Sequence, residues 1–181
     1  DLGTYTCLPG LIDMHTHLTD RPGDTADLSV YYRRTLEEQL VLARQHARAT
    51  LLAGFTSTRD VGTYIAWADR ALRDEINAGQ IIGPRVQVAG FYLTIPGGGG
   101  DLVIPGRPES EIPAQVRMGV ARGPEAFRQK AELAVAGGLC GRPLPVVKAV
   151  TQDLLVPADT EIVLEGHMLP ENMIDEGPFG E

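Results

Sequence analysis

Apolar and polar positions along the chain alternate between two periods. Pro9-Gly10 reads as a turn, and Leu11 to Met14 is a short apolar run that predicts a buried parallel strand. Leu36, Leu40, Ala43, Ala47 and Leu51 then recur at three- and four-residue spacing, which predicts an amphipathic helix over 35–53. Thr35 with Glu38 forms a capping-box pattern at its start, and Gly54 is placed to stop it. The stretch Phe55 to Gly62, rich in β-branched residues, predicts a second strand. Ile65, Ala68, Leu72 and Ile76 give the next helical face, closed by Gly79, and Pro84 to Gly90 predicts a third strand. The order βαβαβ calls for a parallel sheet.

Between the first strand and the first long helix, residues 18–34 read as a polar loop over a site. A long Gly/Pro loop follows the third strand at 94–114. Its four consecutive glycines, Gly97 to Gly100, could cradle an anion with backbone N–H groups, but no strand-to-helix P-loop surrounds them and lysine is absent there. Pro124 opens a further helix carrying Phe127, Ala131, Ala134 and Val135 on one face, ended by Gly137-Gly138. Beyond that point the pattern changes. Val146 to Val150 and Glu161 to Leu164 read as short strands with no helical period between them. The chain is thus expected to be α/β over residues 1–138, with a β-rich segment over residues 139–181.

Charge follows the same division. Of 16 basic and 24 acidic residues, 14 and 16 fall within 1–138, leaving 2 and 8 for 139–181. An acidic chain of net charge -8 offers no basic face for phosphates, so no nucleic-acid partner is expected. A 43% hydrophobic and 22% charged composition is that of a soluble globular protein, and no apolar run reaches the ~18 residues of a membrane span. No membrane partner is therefore expected. Cys7 and Cys140 are too few and too isolated for a disulfide frame or a zinc knuckle, and a reducing cytoplasm is the expected compartment.

Candidate chemistry lies first at His15 and His17. Strand side chains alternate faces, so two residues two apart point the same way and one face offers two imidazoles. Imidazole suits zinc and its divalent neighbours. An H-x-H triplet alone is weak, because an isolated histidine at a strand end is more often an ordinary surface or core group. His46 is expected to be a solvated helix residue.

The whole string Pro9-Gly-Leu-Ile-Asp-Met-His-Thr-His17 resembles the first-strand signature of the amidohydrolase superfamily, metal-dependent hydrolases on a (β/α)8 barrel. The resemblance continues through Ala53-Gly-Phe-Thr-Ser-Thr-Arg-Asp-Val-Gly62 and Gly83-Pro-Arg-Val86, and is strongest to the branch of Xaa-Pro dipeptidases and imidazolonepropionase-like hydrolases. It implies about three βα units of a TIM barrel over residues 1–138, short of the roughly 250 residues of a complete one. It implies His15 and His17 as ligands of a divalent metal, zinc first among them, and hydrolysis of C–N bonds in small amides or dipeptides. Arg59 and Asp60 line the site or order the barrel mouth. Relatives often carry Gly-Gly-His-Gly-Asp where this chain has Gly97 to Asp101, so Gly99 stands in place of that histidine. Their helix is followed by a metal-bridging carbamylated lysine. Here Lys148 comes several residues late and is expected to be an ordinary lysine.

From about Arg142 the chain resembles a different family, the UbiD-like decarboxylases, which use prenylated flavin mononucleotide. Pro143-Leu-Pro-Val-Val-Lys-Ala-Val-Thr151, Leu154 to Gly166 and Glu176-Gly-Pro-Phe-Gly-Glu181 carry it. That resemblance implies Glu176 and Glu181 as catalytic carboxylates near the flavin. The motif is expected to continue past Glu181. Three function classes stay open: an amidohydrolase-type enzyme of weak or no activity, a decarboxylase fragment, and a catalytically silent fragment. A small-molecule substrate is expected for either enzyme, and an open sheet edge would call for a cover, from the tail of the chain or from a second copy in a homo-oligomer.

Overall fold

The structure, a computed structural model, describes residues 6–138. Three parallel strands, β1 (Leu11–Thr16), β2 (Phe55–Asp60) and β3 (Arg85–Gln87), form one sheet in the order β1-β2-β3. Between them lie α1 (Val30–Arg33), α2 (Leu36–Leu52) and α3 (Ala68–Asn77), and α4 (Pro124–Ala136) follows the long loop. The expected βαβαβ order is present.

Local sequence explains the long elements. Thr35 caps α2 through its side chain on the Glu38 N–H, and Glu38 returns a bond to the Thr35 N–H, so two orphan donors of the first turn are satisfied together. Pro124 occupies the first turn of α4, where a missing N–H costs nothing. Helix α3 begins three residues later than the apolar period suggests. Trp67, in the left-handed region at φ 69°, breaks the chain direction between Ile65 and Ala68. Its N–H donates to the Gly90 carbonyl at 2.7 Å, which anchors the helix start to the end of the sheet.

Leu18, Leu40, Ala43, Ala47, Leu72, Val86 and Val88 make the core between the sheet and helices α2 and α3. A second cluster gathers Tyr31, Ile65, Ala68, Leu102 and Val116, so it joins α1 to the loop after β3. That loop is tied down by charge. Arg117 forms a two-pronged ion pair with the buried Asp101, at 2.7 and 2.9 Å, and Asp101 also receives the Gly97 N–H. Helix α4 packs through Ala134 on Ala66, Ala89 and Phe91, and a side chain at Gly137 would run into the Trp67 indole.

Two expectations are corrected. Residues 18–34 are not wholly loop, since α1 lies among them; four residues carry too little period to be seen, and α1 is held by tertiary contacts such as the Tyr32 hydroxyl donating to the Leu102 carbonyl at 2.6 Å. Strand β1 is not buried. Leu11, Ile12 and Met14 are 54%, 64% and 49% exposed, because among the described residues β1 pairs with β2 alone and the apolar run has nothing against its other edge and face.

Candidate metal site

His15 lies near the end of β1 and His17 just past it. Their ring centroids are 5.5 Å apart, nearly edge to face at 73°. The strand-period expectation that the two side chains share a side is consistent with this closeness. Two imidazoles bound through one nitrogen each to a tetrahedral ion, at about 2.0–2.1 Å, have centroids on the order of 5 Å apart, a separation close to the one seen here. Among the described residues, however, no group of three or more His, Cys, Asp or Glu side chains is placed to hold a metal ion. The described residues bring together two imidazoles and no third side chain of these types.

His17 is the better fixed of the two. Its Nδ1 stands 2.9 Å from the Gly62 carbonyl and 3.0 Å from the Tyr92 hydroxyl. The backbone around it is clamped by Asp60. One carboxylate oxygen accepts the Leu18 N–H at 2.8 Å and the other the Gly62 N–H at 3.1 Å, so one side chain holds both the residue after His17 and the residue facing its ring. Asp60 therefore orders the mouth of the sheet. Arg59 turns the other way and donates from Nε to the Met14 carbonyl at 2.8 Å.

Around this clamp sit three carboxylates, Asp60 and Asp69 buried and Asp20 half-buried. Burial pushes the Asp60 carboxyl well above the ordinary carboxylate range, reinforced by the neighbouring Asp69 and opposed by the two backbone N–H donors. Asp69 is raised for the same first reason, although the N–H groups of Gly90, Ala89 and Arg70 all donate to it. Asp20, in the loop after His17, is pushed up to about 7 by burial, against the pull of the Tyr31 hydroxyl and of Arg34. The phenols follow: burial and then Asp20 push Tyr92 upward, so its hydroxyl stays protonated. Tyr92, Tyr64 and Tyr31 make a continuous row, with centroids 4.9 and 4.7 Å apart.

His46 is not simply solvated. Its Nδ1 lies 3.0 Å from the Leu18 carbonyl, so α2 braces the loop that leaves the site. A small cleft lies behind Tyr92, lined by Thr63, Tyr64, Gln115 and Arg117 among others, with about 190 Å³ of empty space including some open to solvent. It is too shallow for an ordinary ligand pocket, and neither His15 nor His17 lines it. Tyr92 and Gly62 carry no motif that marks them in the sequence as partners of His17; the one trace is the glycines Gly62, Gly100 and Gly119, against which Tyr92 packs. Glu176, Glu181 and Lys148 lie outside the described residues.

Comparison with known proteins finds likenesses of two kinds. A crystal structure of a Xaa-Pro dipeptidase with methionine bound in the active site is 35% identical, with a TM-score of 0.56, and the likeness covers 68% of this chain and 31% of that one. A prolidase complexed with N-methylphosphonate-L-proline is 28% identical at a TM-score of 0.58, covering 72% and 31%. Residues 113–181 match the family model of the UbiD 3-octaprenyl-4-hydroxybenzoate carboxy-lyase Rift-related domain. Over 45 residues the chain is 56% identical to ferulic acid decarboxylase 1 of Candida dubliniensis, a stretch of 25% of this chain and 9% of that protein. Two families are resembled, not one. The chain spans about a third of the length of the solved hydrolases and about a tenth of the decarboxylase. The family match starts at residue 113 and so takes in α4. No helix among the described residues is long and apolar enough to cross a membrane.

Proposed function

We propose that residues 8–138 are about three βα units of an amidohydrolase-type barrel, and that His15 and His17 are two ligands of its divalent metal, zinc first. The observation that carries this reading is the pair of imidazoles 5.5 Å apart where β1 ends, with His17 held by Nδ1. The active sites of such barrels lie at the C-terminal ends of their strands, where these histidines lie. A divalent ion supplies Lewis acidity toward a carbonyl and lowers the pKa of water, the chemistry of C–N bond hydrolysis in small amides or dipeptides. This chain's own residues hold and orient: Asp60 fixes the backbone on both sides of the ring, and Gly62 and Tyr92 fix the ring itself.

Two imidazoles fall short of the three protein ligands of a catalytic zinc site, so metal affinity of the chain is expected no tighter than micromolar, with little or no turnover. Calorimetric titration with Zn²⁺, paired with an Xaa-Pro dipeptide hydrolysis assay, tests both. His15→Ala and His17→Ala should each abolish the zinc signal; binding unchanged in either variant ends the reading. Cytoplasmic residence belongs to the same proposal, resting on two isolated cysteines, as does a second copy of the chain covering the exposed edge of β1.

A second reading is favoured by the match over 113–181. Glu176 and Glu181 would then be carboxylates of a decarboxylase that uses prenylated flavin mononucleotide. Flavin absorbance in the purified chain that is lost in Glu176→Gln or Glu181→Gln supports this; absence of flavin together with absence of zinc leaves the catalytically silent fragment.

A further inference from the structure

The spacing of the histidines does not account for a second feature of their surroundings, Tyr92. It is 75 residues away from His17 in sequence, yet its hydroxyl lies 3.0 Å from His17 Nδ1. Three glycines are shaped around it. A Cβ on Gly62, which sits at φ 145°, would overlap the Tyr92 ring; a Cβ on Gly100 would overlap the Tyr92 Cβ; one on Gly119 would strike its carbonyl. The ring is backed in turn by Tyr64, whose hydroxyl donates to the Gly99 carbonyl at 3.3 Å, and Tyr64 by the fully buried Tyr31. A tyrosine seated this closely keeps one position.

Two oxygens therefore face one ring nitrogen, the Gly62 carbonyl at 2.9 Å and the Tyr92 hydroxyl at 3.0 Å. A carbonyl can only accept. That of buried Gly62 has no other hydrogen-bond donor among the described residues, and a bare Nδ1 would leave it unpaired, the costlier arrangement. Pairing that carbonyl calls for a proton on Nδ1, and the Tyr92 hydroxyl, which can donate or accept, then takes the accepting role in a shared bond. The other nitrogen, Nε2, is left with its lone pair free. We propose that Tyr92 is a positioning residue, which together with the Gly62 carbonyl holds His17 in the Nδ1–H tautomer and so presents Nε2 as the donor atom to a divalent cation. The cation part rests on the reading of His15 and His17 as ligands; the tautomer part does not.

The test uses the full chain labelled with ¹⁵N, without metal, at a pH where the imidazoles are neutral. Long-range ¹H–¹⁵N spectra distinguish a protonated from a bare ring nitrogen, and His17→Gln assigns the signals. Wild-type His17 is expected to show protonated Nδ1 and bare Nε2. In Tyr92→Phe, which keeps the ring and loses only the oxygen, the His17 signals should move part of the way toward the average of two tautomers, the Gly62 carbonyl still favouring Nδ1–H. His46, whose Nδ1 faces the Leu18 carbonyl, should stay unchanged in both proteins and serves as the internal reference. A wild-type His17 protonated on Nε2, or a Tyr92→Phe spectrum identical to wild type, overturns the proposal. Zinc titration of the same two proteins adds a second reading, with affinity expected to fall about tenfold in Tyr92→Phe, as when a ligand histidine loses its outer partner. If wild type binds no zinc, the metal reading of the site falls and the tautomer spectra alone decide the role of Tyr92.

Discussion

Replacing Asp20 by asparagine should change how stability depends on pH, and in a direction opposite to the usual carboxylate. Asp20 follows the site loop with its N–H on the His17 carbonyl at 3.1 Å, and its carboxylate accepts from Gln39 Nε2 at a long 3.3 Å. Burial pushes its pKa from 3.8 up to about 7. Between those values the folded chain holds a proton that the unfolded chain has released. The slope of unfolding free energy with pH follows protons bound in the unfolded minus the folded state, so here it is negative. The stabilising proton is fully present below about pH 4 and lost as pH rises through 7. The interval sets a ceiling of about 4 kcal/mol; part-exposure of the side chain and relaxation around it reduce the expected effect to about 2 kcal/mol.

Asp24 works the other way. Burial raises its pKa, but the ion pair with Arg34 at 2.7 Å outweighs that and lowers it, so its contribution is present above the unfolded pKa and lost in acid. The difference between variant and wild type removes such shared terms. The amide introduced by Asp20→Asn mimics the neutral acid and does not ionise. The stability of Asp20→Asn minus that of wild type should accordingly be near its floor at pH 4 and rise by about 2 kcal/mol by pH 8. Urea unfolding at a series of pH values, with chelator present, measures this. The single tryptophan, Trp67, packed at 5.2 Å on Phe91, reports the transition. A difference that stays level from pH 4 to 8, or that shrinks, would refute the assignment of a buried, protonated Asp20.

Two more substitutions probe the sheet. Asp60→Asn turns one accepting oxygen into a donor that must face the N–H of Leu18 or Gly62, and should cost about 1–3 kcal/mol in urea unfolding while weakening zinc binding; unchanged values for both would remove Asp60 from its clamping role. Ile12→Lys places a charge on the exposed strand β1, where it should cost within about 0.5 kcal/mol of stability yet abolish concentration-dependent association in sedimentation; a wild-type chain that sediments as a monomer at every concentration disposes of the second-copy proposal.

What could be read from the chain in advance was whatever a local period encodes. Helix α2 announces itself through Thr35, Glu38 and Gly54, because caps and spacing act within a few residues. Strands β2 and β3 were legible as elements, though shorter in fact than their apolar stretches. For β1 the period identified the strand but not its burial, since an apolar run looks the same whether or not a neighbour covers it, and coverage is a property of the assembly.

The site divides along the same line. His15 and His17 were visible because two-residue spacing on a strand is itself a statement about geometry. Tyr92 was not, because nothing within several residues of it points at His17; the contact exists only once β1, β2 and β3 are paired and the segments after β1 and β3 are brought to the same end of the sheet. Its trace in the sequence is negative, the missing side chains at Gly62, Gly100 and Gly119. Gly100 ends the four-glycine run, which on its own invites thoughts of an anion cradle. In the fold that glycine makes room for a phenol, and an absent Cβ is therefore best explained by asking what ring or backbone passes through the space it leaves.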